Sequence, residues 1–445
     1  SRHPWDNGAA FKVGLHESLA SLDKGLREFG SRLLLIKGDT PQSLLELVKS
    51  LGVGGVYWNR RYTAEAIAAD RQLKVALEEQ GIPVHTFNGS LLVEPWEIKN
   101  KAGKPFRVFT PFWKNCQSSA KITAPLPMPD SIPSVKKRPS SCALGELALT
   151  PQRSWVKEIN SHWQFNEQQG MALLEAFRDE LVSTYSAARD VLSKRGTSTL
   201  SPYLALGILS PRQIWHAIQG AVAEHTGLNG EAEAYIRQLF WREFAYHLLY
   251  HFPETTTQPL QEKFTRFPWR DDQAALELWQ QGKTGYPVVD AGMRELWATG
   301  YMHNRARMIT ASFLVKDLLI PWQRGAEWFW DTLIDADLAN NTLGWQWVAG
   351  CGADAAPYFR IFNPVRQGER FDPQGAYVRR WVPELSQLPD KYLHQPWAAP
   401  TDVLEGAGIT LGKEYPHPMV DHAVARDDAM IAYNLMRQQV AMKAL

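Results

Sequence analysis

From Asp335 the chain reads DADLANNTLGWQWVAGCGADAAPYFRIFNP. Two acids one residue apart, Asp335 and Asp337, stand before the paired amides Asn340 and Asn341 and the indoles Trp345 and Trp347. Acids so spaced can ligate a divalent cation, cap a helix end, or accept hydrogen bonds from the hydroxyls and ring N–H groups of an organic cofactor. No further acid cluster lies beside them to complete the oxygen shell of a hard cation. If the segment is helical, Trp345 and Trp347 point roughly 200° apart, so the two indoles have different tasks. Tryptophan is usually rare, yet this chain has 18.

Three other segments gather polar groups on one face. In EAEAYIRQLFWREFAYHLLYHFP (231–253), a helix ending before Pro253, Gln238, Trp241 and Arg242 fall at i, i+3 and i+4. The plain alternative is a core tryptophan beside an arginine paired with a glutamate. In GYMHNRARMITASFLVKDLL (300–319), read as a second helix, Asn304, Arg307 and Met308 repeat that spacing. Amide, cation and thioether on one face suit a planar ligand, although a core methionine beside a surface arginine gives the same pattern. His303 is a lone imidazole without a partner at metal spacing and reads as structural. RGTSTLSPYLALGILSPRQIW (195–215) packs Thr197, Ser198, Thr199 and Ser201 around a helix start, with Ser201 as cap and Pro202 as first helical residue. Hydroxyls and free amides at a helix start make an anion site; plain capping is the alternative.

The elements that carry these residues follow from periodicity. SRLLLIKG, VGGVYWN and IPVHTFNG read as buried strands. Between them lie two helices, TPQSLLELVKSLGV with Thr40 as cap, and TAEAIAADRQLKVALEEQG ended by Gly81. Strand–helix alternation implies a parallel sheet with right-handed crossovers. No GxGxxG is present, so a nicotinamide site has no specific support. KITAPLPMPDSIPSVKKRPSS is rich in Pro, Ser and Lys and reads as a connection. Beyond it the patterns are mostly helical. The expected domains are an α/β domain over 1–115, a linker over 116–164 and a helical domain over 165–445.

Composition sets outer bounds. At 445 residues the chain can bury two or three domain cores. With 44% hydrophobic and 21% charged residues it is ordinary for a soluble globular protein. The net charge of +1 gives no global nucleic-acid signature but is compatible with a local basic cleft. Cys116, Cys142 and Cys351 form no zinc-like spacing and are too few for a four-thiolate cluster, which points to a reduced, cytoplasmic setting. No run approaches the ~18 apolar residues of a membrane span. The first residue is Ser1, so a fragment or processed chain is expected.

Taken in order over most of residues 165–385, TSTLSPYLALGILSPRQIW, WREF, GYPVVDAGMRELWATGYMHNRARMITASFLVKDLLIPW and DADLANNTLGWQWVAGCGADAAPYFRIFNP resemble the DNA photolyase/cryptochrome family. The resemblance is to bacterial cyclobutane pyrimidine dimer photolyases, either class I or the plant-cryptochrome-related class III. It implies an N-terminal Rossmann-like parallel α/β antenna domain, lacking the family's first strand and helix, and a C-terminal helical domain that binds FAD. By motif position, Tyr185, Thr197, Ser198, Thr199, Leu200 and Ser201 would hold the phosphates and nearby groups, with Tyr235 and Gln238 also on the cofactor. Arg242, Asn304 and Arg307 would line the isoalloxazine and pyrophosphate. Asp335, Ala336 and Asp337 would meet the flavin and ribitol side, and Asn341 would face flavin N5. Plant cryptochromes typically carry an aspartic acid there; the amide favours the fully reduced, repair-active flavin.

The resemblance also divides the indoles. Trp345, Trp322 and Trp269 match the family's electron-relay tryptophans, while Trp347 and Trp241 match the walls of the substrate pocket. Gln238, Asn304, Arg305 and Met308 would contact the lesion. Many cyclobutane photolyases carry glutamate at Gln238. Six-four photolyases carry glutamine there, but beside a histidine-rich pocket that MHNRARM does not resemble. The implied activity is the splitting of pyrimidine dimers in UV-damaged DNA, driven by blue light, by a monomer without a metal. The alternatives are a blue-light photoreceptor of cryptochrome type and a six-four photolyase. The chain ends at MRQQVAMKAL without the long tail common in signalling members. NGSLLVEPWEI and YWNRRY resemble antenna segments. Methenyltetrahydrofolate is the preferred second chromophore, with a deazaflavin or none as alternatives, and Arg60 stands where some folate-binding members have an acid.

Overall fold

The structure, a computed structural model, describes residues 5–133, 139–151 and 155–442. The residues divide into two units. The first comprises Ser1–Ser183, Ser198–Pro253 and Ile334–Ala336; the second comprises Thr184–Thr197, Glu254–Leu333 and Asp337–Leu445. Each is described by itself.

The first unit opens with helix α1 (Ala9–Glu28), α2 (Thr40–Leu51), strand β1 (Val56–Asn59), α3 (Ala64–Glu78), strand β2 (Val84–Phe87) and α4 (Phe109–Ser119). β1 and β2 are parallel, with Val56 opposite Val84 and Asn59 opposite Phe87. Val48 of α2 and Leu73 and Leu77 of α3 pack with Val84 to cover one face of this sheet, as a parallel sheet requires of its crossover helices. Asp39, rather than the expected Thr40, caps α2: its carboxylate accepts the Gln42 N–H at 3.3 Å. Thr63 caps α3, and Gly81 turns the chain after it in the left-handed region at φ 74°.

The expected strand SRLLLIKG does not join the sheet. Its backbone groups are committed elsewhere: Leu33 N–H donates to Asp23 Oδ1 (2.8 Å), Leu35 N–H to Ser141 Oγ (2.9 Å), and Leu35 C=O accepts from Cys142 N–H (2.9 Å). The sheet therefore has two strands among the described residues, not three. α4 also carries helix through Ser119, past the expected start of the linker, because Phe112, Trp113 and Cys116 bury on one face. Residues 134–138 and 152–154 of the linker lie outside the described residues.

The helix Asn229–His251 is the backbone of this unit, and one of its faces staples the loop between β2 and α4. Glu243 Oε2 accepts the N–H groups of Leu92 (2.9 Å) and Val93 (3.1 Å), and Arg242 donates to Ser90 C=O (2.7 Å). His247 accepts Phe106 N–H at Nε2 (3.0 Å) and donates from Nδ1 to Pro95 C=O (3.2 Å). The loop's buried polar backbone is thereby satisfied, as burial demands.

In the second unit the helices Pro287–Thr299, Asn304–Ser312, Trp322–Thr332 and Leu338–Ala349 hold the candidate residues. The segment 300–319 is not one helix. Gly300 ends the preceding helix at φ 69°, His303 Nδ1 accepts Arg305 N–H (3.1 Å) as the cap of the next, and Phe313–Asp317 winds as a π-turn. A closing helix, His422–Met442, follows. No described helix is long and apolar enough to cross a membrane.

Candidate functional site

In the first unit a hydroxyl-rich turn leads into the short helix Ser201–Ala205. Thr199 sits at φ 53°, an uncommon place for a β-branched residue and a mark of local strain at functional turns. Its hydroxyl donates to Ser198 C=O (2.7 Å), and Tyr235 OH donates to Ser198 Oγ (3.0 Å). Ser201 is the first helical residue, not the cap. Its hydroxyl donates instead to the buried Asp335 at Oδ2 (2.6 Å), 134 residues away in sequence. Leu200 is buried beneath the turn, and Ala336 is buried beside Asp335. Ser198, Thr199, Ser201, Tyr235 and Asp335 are thus brought together by geometry.

On the Asn229–His251 helix, Gln238 is half-buried and donates one amide hydrogen to Ala234 C=O (3.1 Å). Trp241 lies flat on Phe109, with ring centroids 3.7 Å apart and planes within 7°. One indole face is therefore used up by the protein. Arg242 is buried, with its guanidinium 4.9 Å from the Tyr246 ring centroid and 3.6 Å from Glu243. Burial pushes the Glu243 carboxyl up to about 7, against the pull of Arg242 and the two backbone N–H donors. Arg60, just after β1, pairs with Glu94 (2.7 Å) and donates to Thr86 C=O (2.8 Å).

In the second unit Asp337 caps the helix Leu338–Ala349, accepting Asn340 N–H at 2.8 Å. Asn341 donates from Nδ2 to Ala326 C=O (2.9 Å), which fixes the amide and leaves its oxygen as acceptor. Trp345 is 2% exposed and meets Phe329 and Trp279 edge to face, at 5.0 and 6.2 Å. Trp347, on the same helix, is partly exposed, so the two indoles do separate. Trp322 is buried, and Trp269 is partly exposed against Phe267 (4.3 Å).

Asn304 is exposed at the start of its helix, with Nδ2 3.9 Å from Met308 Sδ, so that pair shares a face. Arg307 donates to Met302 C=O (2.7 Å) and lies 5.3 Å from the Tyr301 ring. Arg305 pairs with Asp190 (2.8 Å) and covers Phe371 (4.3 Å), which gives this cation a structural anchor. Tyr185 is buried beneath Arg189, and Thr197 is half-buried. Burial, opposed by Asp190 and helped by Arg307 and Arg305, holds the His303 imidazole down at about 4.

Sequence reasoning missed the residues that hold these. Glu295 accepts both His303 N–H (3.1 Å) and Tyr377 OH (2.6 Å), fixing the turn before Asn304. Gly325 lies against Trp345: a Cβ there would stand 2.1 Å from Cη2. The one signal for Gly325 was a glycine inside a helical pattern, which usually has a packing reason.

Comparison with known proteins gives the class. Residues 235–435 match the FAD binding domain of DNA photolyase, and residues 1–130 match the DNA photolyase domain. The chain is 46% identical over 432 residues to the deoxyribodipyrimidine photo-lyase of Agrobacterium fabrum, covering 97% of this chain and 90% of that protein. It is 39% identical to cryptochrome-1 of Arabidopsis thaliana over 95% of this chain and 63% of that protein. The crystal structure of a bacterial class III photolyase from Agrobacterium tumefaciens superposes with a TM-score of 0.94 at 46% identity, covering 97% of this chain and 89% of that one. The protein belongs to the DNA photolyase/cryptochrome family. Taken by themselves, the clustered hydroxyls of Ser198, Thr199 and Ser201 in the first unit have the chemistry to donate to phosphate oxygens, and the amide oxygen of Asn341 in the second has the chemistry to accept from a flavin ring N–H.

Proposed function

We propose that this protein is a photolyase that splits cyclobutane pyrimidine dimers in UV-damaged DNA, of the class III type. The observation that carries the reading is Asn341. Its NH₂ is held by the Ala326 carbonyl, so an acceptor oxygen that cannot ionise is what the helix presents. An amide leaves a reduced flavin anionic, where an aspartic acid could deliver a proton.

Held by these residues, FAD would supply the photochemistry, the loan of one light-excited electron to the lesion. The chain's own residues bind and orient. Tyr185, Thr197, Ser198, Thr199, Leu200 and Ser201, with Tyr235, would hold the phosphate side. Arg242, Asn304, Arg307, Asp335, Ala336, Asp337 and Asn341 would hold the ring and ribitol. Trp241 and Trp347 would offer flat faces to a flipped-out lesion. Gln238, Asn304 and Met308 would contact its bases, and Arg305 would add charge-assisted hydrogen bonds once the dimer carries the extra electron. Trp345, Trp322 and Trp269 would return electrons to an oxidised flavin. Methenyltetrahydrofolate is the second chromophore we infer; the Arg60–Glu94 pair lies in the two segments that resemble antenna sequences.

The 39% identity to a plant cryptochrome favours one second reading, a blue-light photoreceptor. One experiment separates the two. The flavin-containing protein, chemically reduced without oxygen, is mixed with UV-irradiated oligothymidine, and thymine absorbance is followed under blue light and in darkness. Light-dependent recovery is expected. No recovery with the flavin present and reduced would reject cyclobutane repair and leave six-four repair or signalling.

A further inference from the structure

Two helices of the first unit meet through their aromatics. In α4, Phe109, Phe112 and Trp113 fall at i, i+3 and i+4 and bury as one face. That face packs on the helix Asn229–His251. Trp113 meets Phe240 at 4.5 Å, Phe112 meets Phe244 at 5.2 Å, and Phe109 lies on Trp241 at 3.7 Å. Phe240 and Phe244 are themselves buried, so the first two contacts belong to the core. The third differs: Phe109 is 0% exposed, yet its partner Trp241 is partly exposed.

The three rings show which part of Trp241 stays open. Phe244 stands nearly upright to both members of the stack, at 71° to Phe109 and 75° to Trp241, with its centroid 5.9 Å from each. Equal distances from two parallel rings place Phe244 beside the stack, level with the gap between them, and not on top of it. Phe109 and Phe244 are the rings found against Trp241 among the described residues. One indole face is therefore covered and one edge is bounded. The exposure that Trp241 keeps belongs to the opposite face and the rest of the rim. With centroids only 3.7 Å apart the stacked rings nearly eclipse, an arrangement that free rings avoid in favour of an offset. The packing of α4 on the helix imposes it.

We propose that Phe109 is a positioning residue for lesion binding: it clamps the Trp241 indole in a fixed plane before substrate arrives, so that a single face is presented to a flipped-out base. This rests on the reading of Trp241 as a wall of the substrate pocket. An indole turns about two side-chain bonds. A base that stacks on a free indole must stop that rotation, whereas a clamped indole is already still. Phe109 lies in the segment that matches the DNA photolyase domain, and Trp241 in the segment that matches the FAD binding domain. The N-terminal segment thereby sets the plane of a wall that the FAD-binding segment supplies.

The test measures binding in darkness of UV-irradiated and unirradiated oligothymidine by flavin-containing protein. It compares the parent with F109L, F109M, F112L, W241A and the double variant F109L/W241A, each at the parent's flavin content. Leucine and methionine are apolar but not flat. F109L and F109M should weaken binding of the irradiated strand by about 2- to 10-fold, the cost of ordering one side chain on binding, and leave the unirradiated strand unchanged. F112L trims the same helix face where it meets Phe244 and His247 and should leave both strands unchanged. In the W241A background F109L should have no further effect. Should F109L not hold its flavin, F109M carries the comparison. Parent-like binding by the Phe109 variants, with W241A weakened, overturns the proposal and leaves the wall standing. So does a loss of the same size in F112L, an equal loss for both strands, or a full F109L effect without Trp241. If W241A binds the irradiated strand as tightly as the parent, the reading of Trp241 as a wall fails, and the proposal with it.

Discussion

Gly325→Ala adds one methyl group where the structure has no room for it. The new Cβ would lie 2.1 Å from Cη2 of Trp345, 2.5 Å from Cζ3 and 2.6 Å from Cζ2, whereas ordinary contact begins at 3.4 Å. The indole must retreat, yet Phe329 and Trp279 meet it edge to face and it is 2% exposed. Overpacking of this kind costs about 1–3 kcal/mol. Alanine gives back up to about 1 kcal/mol in a helix interior, so a net loss of about 1–2 kcal/mol is expected. The three crowded atoms belong to the outer ring of the indole, which Trp345→Phe removes. A double-mutant cycle in urea therefore carries the test: G325A should destabilise the parent but be neutral or stabilising in W345F. Flavin photoreduction should slow in G325A as the ring shifts. The same penalty in both backgrounds, or unchanged photoreduction with unchanged tryptophan fluorescence, would refute the packing argument.

Other outcomes follow from the same geometry. Trp345→Phe should slow photoreduction of oxidised flavin by more than it slows repair by chemically reduced protein; equal losses in the two assays would show that Trp345 is not in the relay. Asp335→Ala should lower the flavin-to-protein ratio more than Ser201→Ala, since it removes the acceptor of the Ser201 hydroxyl; equal ratios on purification would count against a cofactor role. Burial, followed by the neighbouring His251, lowers the His247 imidazole from 6.5 to about 4, so its stabilisation is full above pH 6.5 and is lost as pH falls toward 4. The stability gap between the parent and H247Q should shrink by about 3 kcal/mol across that window, and a gap constant with pH in denaturant melts would contradict this. Affinity for irradiated DNA should fall with added salt as phosphate counterions are released; a flat salt titration would argue against a DNA substrate.

The acid pair that opened the sequence shows where reading residues in order succeeds and where it stops. Asp337 does what a short-range pattern can foretell: it caps its helix, accepting from a residue three positions on. Asp335 answers to Ser201, 134 residues away, and no local period contains that contact. The helix Asn229–His251 was legible because apolar spacing and Pro253 both mark it. SRLLLIKG was misread because its strand-like composition says nothing of Asp23 and Ser141, which take its N–H groups. The same distinction runs through the site. Asn304 and Met308 share a face of one helix, as their spacing foretells, but the orientation of Asn341 and Arg305 depends on groups from other segments. Asn341 is turned by a backbone carbonyl at Ala326, and a carbonyl is present whatever side chain the sequence prints there. Arg305 is held by Asp190 and Phe371, over a hundred and over sixty residues off in opposite directions along the chain. The chemistry of such a site is therefore carried by side chains that motifs can name, while its precision is set by neighbours whose identity only folding brings into view.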